Sequence, residues 1–248
     1  MKRVFLLLLL FIFLYPVANA QLWKLRRYEI YGGTGAAQVF GDIGGFSLGE
    51  NALGFKDILI QQTRFNLKAG MRYRIEERIG ITFDINFGAM HASDVKGSNE
   101  TRDYESSITL FEPLVKGEYY FLKNNAESSY RFIKGDKIIT SVLAKLDGYI
   151  YTGLAPAFYS AKPNDALDQR DIKNSGVALA VPVGLGLNYL VRPNSMIGFD
   201  FGLRYTTSDY IDGYTSQYST HNDVYYFMTF VYTHKLKTSE RGLPTFRK

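Results

Sequence analysis

Between Arg64 and Met90 apolar and polar residues alternate with a period of two, which predicts a pair of β-strands. Phe65, Leu67, Ala69, Met71, Tyr73 and Ile75 alternate with Asn66, Lys68, Gly70, Arg72 and Arg74. After Glu76-Glu77-Arg78 the pattern resumes, with Ile79, Ile81, Phe83, Ile85, Phe87 and Ala89 set against Gly80, Thr82, Asp84, Asn86 and Gly88. Side chains on a strand point alternately to its two faces, so one face here is apolar and the other carries full charges. A soluble sheet buries the apolar face, whereas a membrane barrel turns it to lipid and keeps a polar interior. The hairpin alone is compatible with both.

The same alternation places six more strands, at Tyr28–Phe40, Ser107–Phe121, Gly148–Tyr159, Val177–Val191, Ile197–Tyr205 and Asp223–Leu236. Strand six is the most regular. Val177, Leu179, Val181, Val183, Leu185, Leu187, Tyr189 and Val191 alternate with Ala178, Ala180, Pro182, Gly184, Gly186 and Asn188. In a soluble lipocalin-like barrel, water would meet a face of only Ala, Pro, Gly and Asn. Small residues suit the crowded lumen of a narrow membrane barrel better. Strands of roughly 10 residues are also what a tilted membrane crossing requires. The expected fold is therefore all-β: an eight-stranded antiparallel up-and-down transmembrane β-barrel.

Loop lengths set the expected orientation. The first, third, fifth and seventh connections are long, and the second and sixth are tight. Small outer-membrane barrels keep long loops on the cell surface, so both termini are expected in the periplasm. The fourth connection, 122–147, departs from this rule. Ile138, Ile139, Val142, Leu143 and Leu146 recur there at helical spacing, predicting a short periplasmic helix over Lys137–Leu146 between strands four and five. Phe55–Gln61, in the first long loop, is expected to form a turn of helix.

Met1–Ala20 has the layout of a secretory signal peptide: Lys2 and Arg3, an apolar run from Val4 to Tyr15, and Ala18-Asn19-Ala20 before the cut. The domain plan is thus a leader over 1–20 and one barrel domain over 21–248, ending in a basic tail from Lys237 to Lys248. There is no cysteine, which excludes a lipid-anchored lipoprotein and a disulfide scaffold. A formal charge of +5 is too mild to argue for nucleic acid.

The polar faces supply the candidate site residues, a lumen charge network. Its cations are Lys68, Arg72, Arg74, Lys116 and Arg204, and its anions Glu29, Asp84, Glu112, Glu118 and Asp200. The three-residue turn pairs Ile75 with Ile79 and Arg72 with Thr82, which puts Asp84 diagonally across from Arg72 as an expected partner.

Several stretches resemble a known family. The leader ending in Ala-Gln, Arg27-Tyr28-Glu29-Ile30, Gly41-Asp42-Ile43-Gly44-Gly45 and Ala69-Gly70-Met71-Arg72-Tyr73-Arg74 are together similar to the small outer-membrane β-barrels common in Bacteroidota. Much of that family is described only as a domain of unknown function. The resemblance spans the mature chain, and its motifs are structural. It implies a barrel built like those of OmpA and OmpX, and some relatives are linked to type IX secretion. This chain departs from the pattern in lacking a terminal aromatic, because the basic tail runs on past Leu236.

Candidate chemistry is sparse. His91 and His221 lie in polar segments near Ser93, Ser219 and Asp223, the residue types an outer-membrane lipid A acyl-chain enzyme would need. Asp94, Glu100, Asp103 and Glu105 cluster without EF-hand spacing. Gly33-Thr34-Gly35 lacks the strand–helix setting of a dinucleotide loop. No catalytic residue, metal or cofactor is assigned. The expectation is a non-enzymatic outer-membrane barrel in a Gram-negative bacterium. Its partners are expected to be outer-membrane lipids and, through its loops, envelope or secretion proteins, with no nucleic acid.

Overall fold

The computed structural model describes residues 22–44, 62–96, 100–124, 142–168, 173–216, 219, 222–239 and 242–245. Eight long strands follow one another around a single antiparallel sheet: β1 (Tyr28–Phe40), β2 (Arg64–Arg74), β3 (Ile79–Ser93), β4 (Glu105–Leu122), β5 (Leu146–Pro163), β6 (Ser175–Arg192), β7 (Ser195–Thr206) and β8 (Val224–Thr238). β8 pairs back onto β1 from Tyr28↔Leu236 to Phe40↔Val224, which closes the barrel. Closure depends on glycine: a Cβ at Gly33 or Gly35 would collide with the backbone carbonyls of Phe230 or Met228 on β8. The β2–β3 register is Arg72↔Thr82, as the three-residue turn requires.

Polarity is inverted relative to a soluble domain. Leu67, Met71, Ile81, Phe83, Val115, Ile150, Leu179 and Leu185 are all exposed, while Glu29, Asp84, Glu112, Lys116 and Arg204 are buried. Alternation explains this directly, because lumen-facing and outward-facing positions exchange at every residue. The apolar belt has aromatic margins. Phe65, Phe87, Phe111 and Phe158 cross four consecutive strands toward the long loops, with ring centroids 6.3 Å apart at Phe65–Phe87 and at Phe111–Phe158. Tyr119, Phe121 and Tyr232 mark the short-turn side, where the Tyr28 and Tyr73 rings lie 5.0 Å apart. From Phe111 to Tyr119 the strand advances about 26 Å at ~3.3 Å per residue. Beyond the loop-side margin the outward positions become Ser107, Thr109, Ser160 and Lys162, all exposed.

The barrel wall rises further than expected. β4, β5 and β6 each run to 18 residues, well past the roughly 9–11 a bilayer crossing takes. Inside, the lumen has two layers. Met90, Ile108, Leu110, Leu114, Tyr225 and Phe227 pack into an apolar cluster on the loop side, and the charges occupy the turn side.

The helix expected over Lys137–Leu146 is corrected at its end: residues 137–141 lie outside the described part, Val142 and Leu143 are helical, and the chain has already entered β5 at Leu146. The α-helix with described bounds, α1 (Asp165–Asp168), lies instead between β5 and β6. Leu146 extends the ladder because it pairs with Tyr189 on β6, so tertiary pairing overrides the local period. The basic tail folds back as well: Pro244–Thr245 form a short strand, β9, against Lys237 and Thr238. The leader and the turn expected at Phe55–Gln61 fall outside the described residues.

Candidate functional site

All ten charged positions named from sequence are buried in the lumen, eight of them on the turn side and Glu112 and Arg204 against the apolar layer. Arg72 is the hub. Its guanidinium donates to Glu118 through Nε (2.5 Å) and Nη2 (3.1 Å), and to Glu29 through Nη1 (2.7 Å). Arg74 meets the other oxygen of Glu29 at 2.7 Å. A second tier joins Lys68 to Asp200 at 2.8 Å and to Asp84 at 3.5 Å, and Lys116 to Asp84 at 3.2 Å, Glu118 at 3.4 Å and Asp200 at 3.7 Å. Higher up, Arg204 lies 3.5 Å from Glu112, which also accepts from Asn86 and from the Tyr225 hydroxyl.

Arg72 and Asp84 are not partners, which corrects the diagonal expected from sequence. Asp84 is reached along the opposite diagonal, by Lys68, and from β4 by Lys116. Arg72 instead crosses β3 to Glu118 on β4. The route is open because Glu118 stands opposite Gly80, and even a Cβ added at Gly80 would stay 3.7 Å from Arg72 and 3.8 Å from Glu118. Glu29, directly across from Arg72 on β1, takes its remaining arm.

Two charges were missed, Asp147 and Lys235, both buried. Asp147 accepts from Lys123 and Asn124 and lies 3.6 Å from Arg74. Lys235 stands opposite Glu29 in the β1–β8 ladder. With them the lumen holds six cations and six anions among the described residues. Inward tyrosines were missed too: Tyr31 donates to Asp84, Tyr120 to Glu118, and Tyr149 and Tyr151 to Asp200. Their rings also face cations, with Arg74 4.8 Å from Tyr120 and Lys116 4.1 Å from Tyr151. Tyrosine fits either face of a strand, so alternation could not assign it. The usable signal was glycine: Tyr149 pairs with Gly186 and Tyr151 with Gly184, and a Cβ at either glycine would strike the ring.

The long loops knit into a crown over the lumen. Asp94 pairs with Arg102 at 2.9 Å and accepts from Gly44 N at 2.8 Å, and Arg102 also donates to the Asp42 carbonyl at 2.8 Å. The Arg102 guanidinium lies 5.1 Å from the Tyr104 ring and 5.8 Å from Tyr214. Beside this node Asp212 and Asp223 are buried together, both against Gly41. Asp212 accepts from Ile43 N and Tyr214 N, and Asp223 Oδ2 from Ile211 N, while Asp223 Oδ1 has no hydrogen-bond partner among the described residues. Burial pushes the Asp212 carboxyl up to about 7. Burial, reinforced by the charge of Asp212, raises Asp223 well above the carboxylate range.

The histidine constellation does not assemble among the described residues. His91 faces Ser107 at 3.3 Å, Ser93 donates to Glu105, and His221 lies outside the described part. Asp94 is committed to Arg102, and no described group of three His, Cys, Asp or Glu side chains is placed to hold a metal ion.

Comparison with known proteins gives a family match over part of the chain. Residues 136–234 match a family described as a domain of unknown function, DUF6089. No curated protein matches. Solved structures with similar folds include Neisserial surface protein A (11% identity over 84% of this chain and 96% of that one, TM-score 0.44). A major outer membrane protein from Thermus thermophilus is 13% identical over 84% of this chain and 99% of its own, with a TM-score of 0.43. Outer membrane protein W of E. coli is 13% identical over 85% and 98%, with a TM-score of 0.40.

Proposed function

We propose that the protein is a non-enzymatic integral outer-membrane β-barrel that acts as a structural or interaction protein through its loop crown. The observation that carries this is the inverted polarity: a continuous outward belt of Ile, Leu, Val and Phe around a lumen of paired charges. In water that belt would be a very large exposed apolar surface. In a bilayer it is the lipid-facing band, with aromatic margins at the two interfaces. The lumen is filled by charges below and apolar side chains above, which favours a plugged barrel over a pore. The Asp94–Arg102–Tyr214 crown offers the contact surface for another envelope component. The long β1–β2, β3–β4, β5–β6 and β7–β8 connections, against the tight β2–β3 and β6–β7 turns, support an orientation with both termini in the periplasm of a Gram-negative cell.

Fractionation and reconstitution test this directly. The protein is expected in the outer membrane, resistant to carbonate, with unboiled samples migrating differently from boiled ones and no stable conductance in planar bilayers. A tag at Ser216 is expected to be labelled on intact cells and one at Asn194 not. Recovery from the soluble periplasm, or a large stable conductance, would overturn the proposal.

A further inference from the structure

At the short-turn end two segments project past the barrel. A 3₁₀ helix spans Leu22–Arg26, and β8 and β9 form a hairpin. Both are tied down. Arg26 Nη1 donates to the Pro193 carbonyl in the β6–β7 turn, Arg27 N donates to Thr238 Oγ1 at 3.1 Å, and the Tyr28 hydroxyl donates to the Gly242 carbonyl at 3.2 Å. The hairpin closes through Ser239 N to the Leu243 carbonyl at 2.8 Å, with Gly242 at φ 76° making the turn.

This foot nevertheless leaves apolar side chains bare. Leu25 is 59% exposed and Leu243 61% exposed. Trp23 is half-buried, its ring centroid 4.9 Å from the Arg27 guanidinium and 5.8 Å from Lys24 Nζ. Around these lie Lys24, Arg26, Arg27 and Lys237, with Arg78 and Arg192 on the neighbouring turns. The described acids on those turns are Glu76 and Glu77. Exposed leucines and an indole set among cations match an anionic lipid–water interface, where the apolar groups enter the headgroup layer and the cations meet phosphate. Arg27 also donates to the Tyr73 hydroxyl at 3.1 Å, which places the foot at the turn-side aromatic margin of the belt.

We propose that this foot, formed by residues 23–27 with 237–239 and 242–245, is a docking surface for anionic phospholipid headgroups. It anchors the depth of the barrel from the turn side. The proposal rests on the membrane reading of the barrel. With the termini in the periplasm, the foot faces the phospholipid leaflet of the outer membrane.

Trp23 is the sole tryptophan of the chain, so its fluorescence reads this surface without a label. The protein is reconstituted into vesicles of phosphatidylcholine alone and of phosphatidylcholine with phosphatidylglycerol, and insertion is scored separately by heat-modifiable gel mobility. Phosphatidylglycerol is expected to shift Trp23 emission to the blue and to permit quenching by brominated phosphatidylglycerol. The shift is expected to be lost near 1 M salt, where screening acts within about 3 Å. The double variant Lys24→Glu/Lys237→Glu is expected to insert normally and to lose the response. Inserted protein with identical emission in both vesicles, or a double variant that keeps the response, would overturn the foot while leaving the barrel intact. Failure to insert in either vesicle would instead overturn the membrane barrel, and the foot with it.

Discussion

Glu118→Leu removes the carboxylate that Arg72 holds with two hydrogen bonds. Unit charges roughly 4 Å apart attract by about 4 kcal/mol at an effective dielectric of 20. Stranding one partner of a buried pair costs roughly 3–5 kcal/mol. Arg72 keeps Glu29 at 2.7 Å, so the loss is expected at the lower end, about 3 kcal/mol. Arg72→Met leaves Glu29 still paired with Arg74, and Glu118 with Lys116 at 3.4 Å. The double variant therefore strands no charge, and it is expected to recover at least ~2 kcal/mol relative to the sum of the singles. Urea unfolding in detergent micelles, run as a double-mutant cycle, measures this coupling. The same cycle on Arg72 and Asp84 supplies the comparison, with an expected coupling near zero because Asp84 belongs to Lys68 and Lys116. A coupling below about 0.5 kcal/mol for Arg72–Glu118, or a larger one for Arg72–Asp84, would refute the network as described.

Three further outcomes are expected. Gly35→Ala forces a methyl group into the Met228 carbonyl at the closing seam and should lower unfolding stability by about 1–3 kcal/mol; an unchanged midpoint would show that the seam can relax. In the crown, folded Asp212 and Asp223 hold protons that the unfolded chain releases near pH ~4, so crown stability is fullest at low pH and falls as pH rises through about 7. Protection factors at the Ile43, Ile211 and Tyr214 amides, taken after dividing out the intrinsic rise of exchange with pH, should fall across that range, and Asp223→Asn should flatten their profile; protection already independent of pH in the unaltered protein would refute the shared burial. Gly186→Val should expel the Tyr149 ring and its hydrogen bond to Asp200, seen as loss of that hydroxyl's protection, whereas Gly117→Val, where a Cβ meets nothing within 4 Å, should be neutral.

Strand placement was legible because one alternation serves both lipid and lumen. β1 falls on the residues the pattern names, and the Arg72↔Thr82 register follows from a turn with an odd residue count. Charge pairing was less legible. Two diagonals are open to every residue in a ladder, and only the curvature of the closed wall, with Gly80 empty between them, directs Arg72 to Glu118. Asp147 was assigned to a connection because Leu146–Gly148 carries no alternation of its own and joins the sheet through β6. The crown could not be read at all, since Arg102, Asp94 and Asp42 come from two loops whose approach depends on the finished barrel.

The lumen charges also bear on how such a chain reaches its membrane. In the extended polypeptide Lys68, Arg72, Arg74, Asp84, Glu112, Lys116 and Glu118 interrupt every greasy segment of β2, β3 and β4. No run there approaches the ~20 uninterrupted apolar residues that lodge a helix in a bilayer. On the outer-membrane reading proposed above, the unfolded chain can cross a first membrane without being retained in it, and it becomes lipid-compatible only once the barrel closes and each charge finds its counter-charge. Neutralising the lumen with leucines, however well packed, would risk stranding the polypeptide at the wrong membrane.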